Sequence, residues 1–262
     1  MDVVPKWVDM LLVPLISLLI AFALSGLVIV AIGEDPVAAL KLMVTGALGS
    51  TYGWGYTLYY ATNFIFTGLA VHARLFNIGG EGQATLGGLG VALIALYIPW
   101  PHWALALPAA MIAAALFGAA WAWLPGVLQA YRGSHIVITT IMFNFIAGGL
   151  LNYLLVNHMR PPGSMDPSTA RFPEATHLPT LHDVLGVFGI EFSRAAPANI
   201  SFLIAILACV FVWALIWRTR FGYELRAYGH SEPAAVYAGI SPKRIVVWAM
   251  LISGALAGMM AI

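Results

Sequence analysis

The chain has 262 residues, 61% of them hydrophobic and 9% charged, against roughly 25% charged in soluble domains. Its formal net charge is +1, so no broad basic face invites nucleic acid, and the single Cys209 supplies no intrachain disulfide framework. This balance excludes an ordinary globular enzyme and a disordered chain, and it indicates an all-α, polytopic integral membrane protein.

Residues 10–32 carry no charge and are long enough to span a bilayer. The N-terminus lacks a clear small-residue cleavage site, so the expectation over about Val8–Ile32 is a retained first helix, not a signal peptide. Lys6 and Asp9 then sit at its headgroup end. The sequence GEDP at 33–36 breaks this helix, and Val37–Ser50 reads as a short interfacial or partly inserted helix with Lys41 at the surface. The next span, Thr51–Val71, is rich in aromatics (Tyr52, Trp54, Tyr56, Tyr59, Tyr60, Phe64 and Phe66). Two readings stay open for them: an aromatic belt with packing, or stacking on a ligand.

Arg74–Gly90 follows, with six glycines from Gly79 to Gly90. That composition disfavours an uninterrupted helix and suggests a broken one, whose freed backbone groups must line a cavity or be buried in protein. Glu81 is either a helix-start residue paired with Arg74 or part of a pathway. The stretch lacks the GxxxxGK[ST] pattern of a nucleotide-binding loop and any βαβ context.

No charged residue occurs from Gly82 to Tyr131. Pro99, Trp100, Pro101 and His102 punctuate that run, which predicts a helical hairpin with spans near Gln83–Tyr97 and Trp103–Trp123. Residues 125–135 then return to the cytoplasmic side with Arg132. In the span Ile136–Val156, Thr140, Asn144, Gly148 and Asn152 lie four apart on one stripe. These groups either bond between helices or line a solute path, and amides and hydroxyls suit an uncharged polar solute. His158–Asn199, with six prolines, three arginines and four acids, is expected as an external loop with a short helix around Leu181–Phe188. His158, His177 and His182 match no strong zinc spacing; neither a metal site nor a catalytic cluster is expected.

The span Ile200–Trp217 leads into Arg218–Arg244, which holds five of the twelve Lys and Arg residues. A short basic loop between apolar runs belongs on the cytoplasmic side. Within it, Ser231 can cap a small helix, Glu232 and Pro233 suit its first turn, Ala234–Ala238 fill it and Gly239 can end it. A helix so short is marginal alone and is expected to pack against another protein. Ile245–Ile262 starts a further span with Gly254 and Gly258 as a close-packing pair. With the N-terminus inside, 33–50, 98–102 and 158–199 lie outside with four Lys or Arg, and 73–82, 124–135 and 218–244 lie inside with seven. The expectation is one permease domain over 1–262 with about seven spans. The chain stops inside an apolar run, so the expectation is that it is C-terminally incomplete or that the final helices are supplied otherwise.

Three stretches together carry a resemblance: LFNIGGEGQ at 75–83, ITTIMFNFIA at 138–147 and FGYELRAYGHSEPAAVYAGIS at 221–241. They resemble the permease subunits of ATP-binding-cassette importers for simple sugars, branched-chain amino acids and nucleosides, and most closely the larger permease of nucleoside-type systems that depend on a basic membrane lipoprotein. The resemblance implies a multi-pass protein of the bacterial cytoplasmic (inner) membrane. It implies a coupling helix on an ATPase subunit at Ser231, Glu232, Pro233, Ala234, Ala235, Val236, Tyr237, Ala238 and Gly239. It also places Asn77, Gly79, Gly80, Glu81, Gly82 and Gln83 in a broken-helix motif near the translocation path, beside Thr140, Asn144 and Asn152. The implied partners are that ATPase, a second permease and an extracytoplasmic solute-binding protein. ATP would bind on the partner, with no cofactor on this chain. Aromatics and amides with almost no buried charge suit a nucleoside or simple sugar. The competing class, an ion-coupled secondary transporter, calls for membrane-buried Asp, Glu or His, which the spans lack away from their ends.

Overall fold

The computed structural model describes residues 8–69 and 77–262. Among them the regular structure is helical: α1 Val13–Ala31, α2 Pro36–Leu48, α3 Thr51–Leu69, α4 Gly80–Tyr97, α5 Trp103–Arg132, α6 Ile136–Leu154, α7 Leu181–Gly186, α8 Ser201–Arg218, α9 Arg220–His230, α10 Glu232–Tyr237 and α11 Pro242–Gly258. Five helices are long and apolar enough to cross a membrane: α1, α5, α6 with the π-turn that extends it to Met159, α8, and α11 with the following 3-10 turn to Ala261. α3 and α4 have spanning lengths of 19 and 18 residues, but tyrosine, threonine and glycine dilute their apolar character. α1 buries none of its residues, as a helix whose neighbours are acyl chains would.

The centre is built from α4, α5 and α11, and small residues set how close they come. A Cβ at Gly118 of α5 would run into the Gly254 carbonyl of α11, one at Gly254 into Ala122, and one at Gly87 of α4 into the Gly258 backbone. The Gly254/Gly258 pair is therefore the contact face, as its spacing suggested. A second core lies where α3 meets α8. Phe66, Ala205, Ala208, Val212 and Ile216 bury together with Leu256 of α11.

Several boundaries differ from the sequence reading. The first span opens with a π-helical turn, Val8–Leu12. α4 starts at Gly80, not Gln83. α5 continues past Trp123 and through Pro125 to Arg132, where Gly133 (φ +67°) caps it in the left-handed conformation. Pro125 is fully buried, and the position of a Cβ on the next residue, Gly126, lies 2.9 Å from Met250 Cβ. Close docking on α11 thus holds the helix across a residue that would end it in water. α11 likewise starts earlier, at Pro242, because the proline suits a first turn. The 158–199 segment holds α7, shorter than expected, and a 3-10 turn at Glu174–Thr176. Thr180 and Asp183 form a reciprocal capping box at the start of α7. Lys6, Arg74, Leu75, Phe76 and the end of the expected Thr51–Val71 span lie outside the described residues.

Candidate functional site

The glycine-rich stretch is a helix break. Asn77–Gly79 are not helical and α4 starts at Gly80, so the first amides of α4 need partners from elsewhere. The N-cap, Gly79, has no side chain to offer. Asn77 accepts from the Gly79 amide at 3.0 Å. Asn144, arriving from α6, accepts from the Gly82 amide at 2.9 Å and donates to the Ile78 carbonyl at 2.9 Å. A residue of another helix thus serves as the cap, and its amide is engaged at both ends.

Behind this clamp is a buried polar knot. Asn77 Nδ2 donates to Gln83 Oε1 at 2.9 Å, and Gln83 Nε2 donates to Asn77 Oδ1 at 3.1 Å. The second Asn77 N–H goes to Ser253 Oγ of α11 at 2.7 Å. Asn77, Gln83 and Ser253 are all buried, so each unmade bond would cost the desolvation of a polar group. Thr140 is wholly buried and donates to the Val137 carbonyl at 3.1 Å. Its Cβ is 3.1 Å from where a Gly79 Cβ would stand. A Gly82 Cβ would stand 2.9 Å from Asn144 Oδ1 and 3.1 Å from the Trp121 indole nitrogen. Glycine is needed at both positions to let α6 and Trp121 approach the break.

The structure therefore brings together Asn77, Gly79, Gly80, Gly82, Gln83, Thr140 and Asn144. Glu81 points away, exposed on the first turn of α4, where a carboxylate favours the helix dipole. Asn152 is also exposed and lies eight residues, about 12 Å, along α6 from Asn144; it does not join the cluster. Ser253 and Trp121 belong to the site and were missed. Neither stands near the motif in sequence, and a lone serine in an apolar helix carries no signal of its partner.

The second candidate region is the 218–244 loop. Thr219 caps α9 through the Gly222 amide at 3.0 Å, and α9 lays Leu225 against Ile245, Val246 and Ala249 of α11. The Arg226 guanidinium lies 4.4 Å from the Trp217 ring centroid, and Arg220 pairs with Glu224 at 2.9 Å. Burial, with Glu232 nearby, raises the Tyr228 phenol above its ordinary pKa. Ser231 caps α10 through the Ala234 amide at 3.4 Å, and Gly239 ends it at φ +81°. One expectation is corrected. Ala235 was counted among the residues of the coupling helix, but it is 2% exposed and packs within this chain. Tyr237, at 96% exposed, and Val236 face outward instead. In the 158–199 segment, His182 Nδ1 meets the Phe192 carbonyl at 2.6 Å and its Nε2 accepts from Arg194 at 3.0 Å. The Thr180 hydroxyl and amide hold the Asp183 carboxyl below its usual range.

Spanning helices around an amide-clamped break, with a short exposed helix on a basic loop, are the frame of a multi-pass helical membrane protein. The family model for the branched-chain amino acid transport system permease component matches residues 56–262. The guanosine ABC transporter permease NupP of Bacillus subtilis is 34% identical over 97% of this chain and 71% of its own length. The glucose permease TsgB13 of Haloferax volcanii is 34% identical over 94% of this chain and 65% of its own. The nucleoside permease NupB of Lactococcus lactis is 33% identical over 95% and 68%. No solved structure matches. The chain belongs to this family of ABC transporter permeases, and it spans about two thirds of the length of these relatives.

Proposed function

We propose that this chain moves a small neutral polar solute inward, a nucleoside in the first place and a simple sugar in the second, driven by ATP hydrolysed on a separate subunit. The relatives named for guanosine, nucleosides and glucose support that class, as does a polar interior made of amides and hydroxyls, with no buried charged side chain among the described residues. A second permease and a solute-binding protein outside the membrane would complete the assembly. The chain itself needs no cofactor. Residues 158–199 face outside and 218–244 face the cytoplasm, in keeping with the charge asymmetry of the loops.

The observation that carries the reading is the continuity of α11. Its first turn follows α10 after the four-residue turn 238–241, and eleven residues later, about 16 Å along the helix, Ser253 holds Asn77 at the break. A push on Val236 and Tyr237 by the ATPase would pass through the 238–241 turn into α11, which reaches the start of α4 at Ser253. The packed centre favours discrete alternatives over gradual deformation. The test is uptake of labelled guanosine and glucose by cells that carry the chain with its ATPase, compared with Tyr237→Glu. A charge on the exposed tyrosine position would have to be buried in the ATPase groove. The expected result is at least tenfold slower uptake at an unchanged membrane level. Unchanged uptake removes α10 as the docking element, and failure of wild type to take up either solute class removes the substrate assignment.

A further inference from the structure

A groove of about 580 Å3 lies outside the site, where the last turns of α5 meet the first turns of α11. Trp123, Tyr131 and Trp248 wall it, and the exposed Lys243 and Arg244 line it as well. Lys243 Nζ sits 5.1 Å from the Tyr131 ring centroid, and among the described residues neither cation has a carboxylate partner, since the ion pair found there joins Arg220 to Glu224. Ser241 forms no side-chain cap on α11, so no oxygen of its own competes for the helix start. Above the groove, Leu105, Ile112, Leu116 and Trp123 form an exposed stripe on one face of α5, at spacings of seven, four and seven.

From this geometry we infer a site for an anionic phospholipid, its phosphate between Lys243 and Arg244 and an acyl chain along the α5 stripe. The parts match what such a lipid presents. Two cations without a carboxylate partner meet the phosphodiester, tryptophan and tyrosine sit at the headgroup level, and an apolar track of membrane-spanning length leads into the hydrocarbon. A protein covering the same corner would bury both cations and would need carboxylates of its own to do so without loss. The inference does not depend on what the permease transports, because the end of α5 and the start of α11 form a membrane boundary in either orientation.

The test uses the purified full chain in detergent, with retention measured by native mass spectrometry during titration with dioctanoyl-phosphatidylglycerol, dioctanoyl-phosphatidylcholine or glycerol 3-phosphate. At about fivefold per cation, phosphatidylglycerol should bind roughly thirtyfold tighter than phosphatidylcholine. Lys243→Gln with Arg244→Gln should erase that preference at an unchanged melting temperature, and Arg244→Gln alone should remove about fivefold of it. Equal retention of the two lipids overturns the site. So does a preference that survives both variants, or glycerol 3-phosphate displacing the lipid at matched concentration, which would mark a site for free phosphate esters. Loss of ATPase co-purification in the variants with no lipid preference in wild type assigns the groove to a protein and overturns it as well.

Discussion

Asn144→Leu separates a residue that clamps the helix break from one that touches the solute. In the structure its amide accepts from Gly82 and donates to Ile78, both at 2.9 Å. Leucine removes both bonds and leaves an amide and a carbonyl of the break without partners. Interhelical hydrogen bonds in membranes average about 0.6 kcal/mol, and an orphaned backbone group costs about 1–3 kcal/mol. The expected loss is therefore about 2–3 kcal/mol, or about 4–12 °C in Tm for a chain of this size. Asn144→Asp keeps the acceptor for Gly82, and its charge near the start of α4 favours the helix dipole, but it loses the donor to Ile78. It should fall between wild type and leucine. The assay is thermal unfolding in nanodiscs, read beside the KM and maximal rate of uptake. A clamp predicts that Tm falls in the order wild type, Asp, Leu, with the maximal rate falling alongside. If Asn144→Leu leaves Tm unchanged and raises KM alone, the amide belongs to the solute and the clamp is wrong.

Three further variants probe the centre and its link to α10. Gly118→Leu places a side chain against the Gly254 carbonyl and should cost about 3 kcal/mol by forcing α5 from α11, while Gly148→Leu, in open space on α6, should leave the Tm of the purified chain unchanged; equal effects would mean that the small-residue contact does not set the packing. Ser253→Ala frees one N–H of the buried Asn77 amide, at about 1–3 kcal/mol, and should leave ATP hydrolysis near wild type while uptake drops several-fold; parallel loss or parallel retention of the two rates would deny Ser253 a role in linking them.

What the sequence made legible follows the range over which each signal acts. The cap and stop of α10 are local chemistry, and Ser231 and Gly239 behave as their residue types require. Which face of α10 turns inward is not local. Ala234, Ala235 and Ala238 look alike in sequence, yet only Ala235 is buried, because the direction in which α10 leaves α9 decides it. Pro125 shows the same limit in reverse. Its local preference is to end a helix, and the fit of Gly126 against Met250, more than a hundred residues away, overrides it. The glycines of 79–90 announced a break but not its occupants. Glycine marks where something comes close without saying what, and here the arrivals are Asn144 from α6 and Trp121 from α5. The four-residue stripe on α6 was therefore half informative. Thr140 and Asn144 face the break, whereas Asn152 has drifted off that face two turns later, since a repeat of four overshoots the 3.6-residue turn by about 40° per step. Three steps from Thr140 to Asn152 accumulate about 120°, enough to carry the last amide from the interior of the chain to its outer surface.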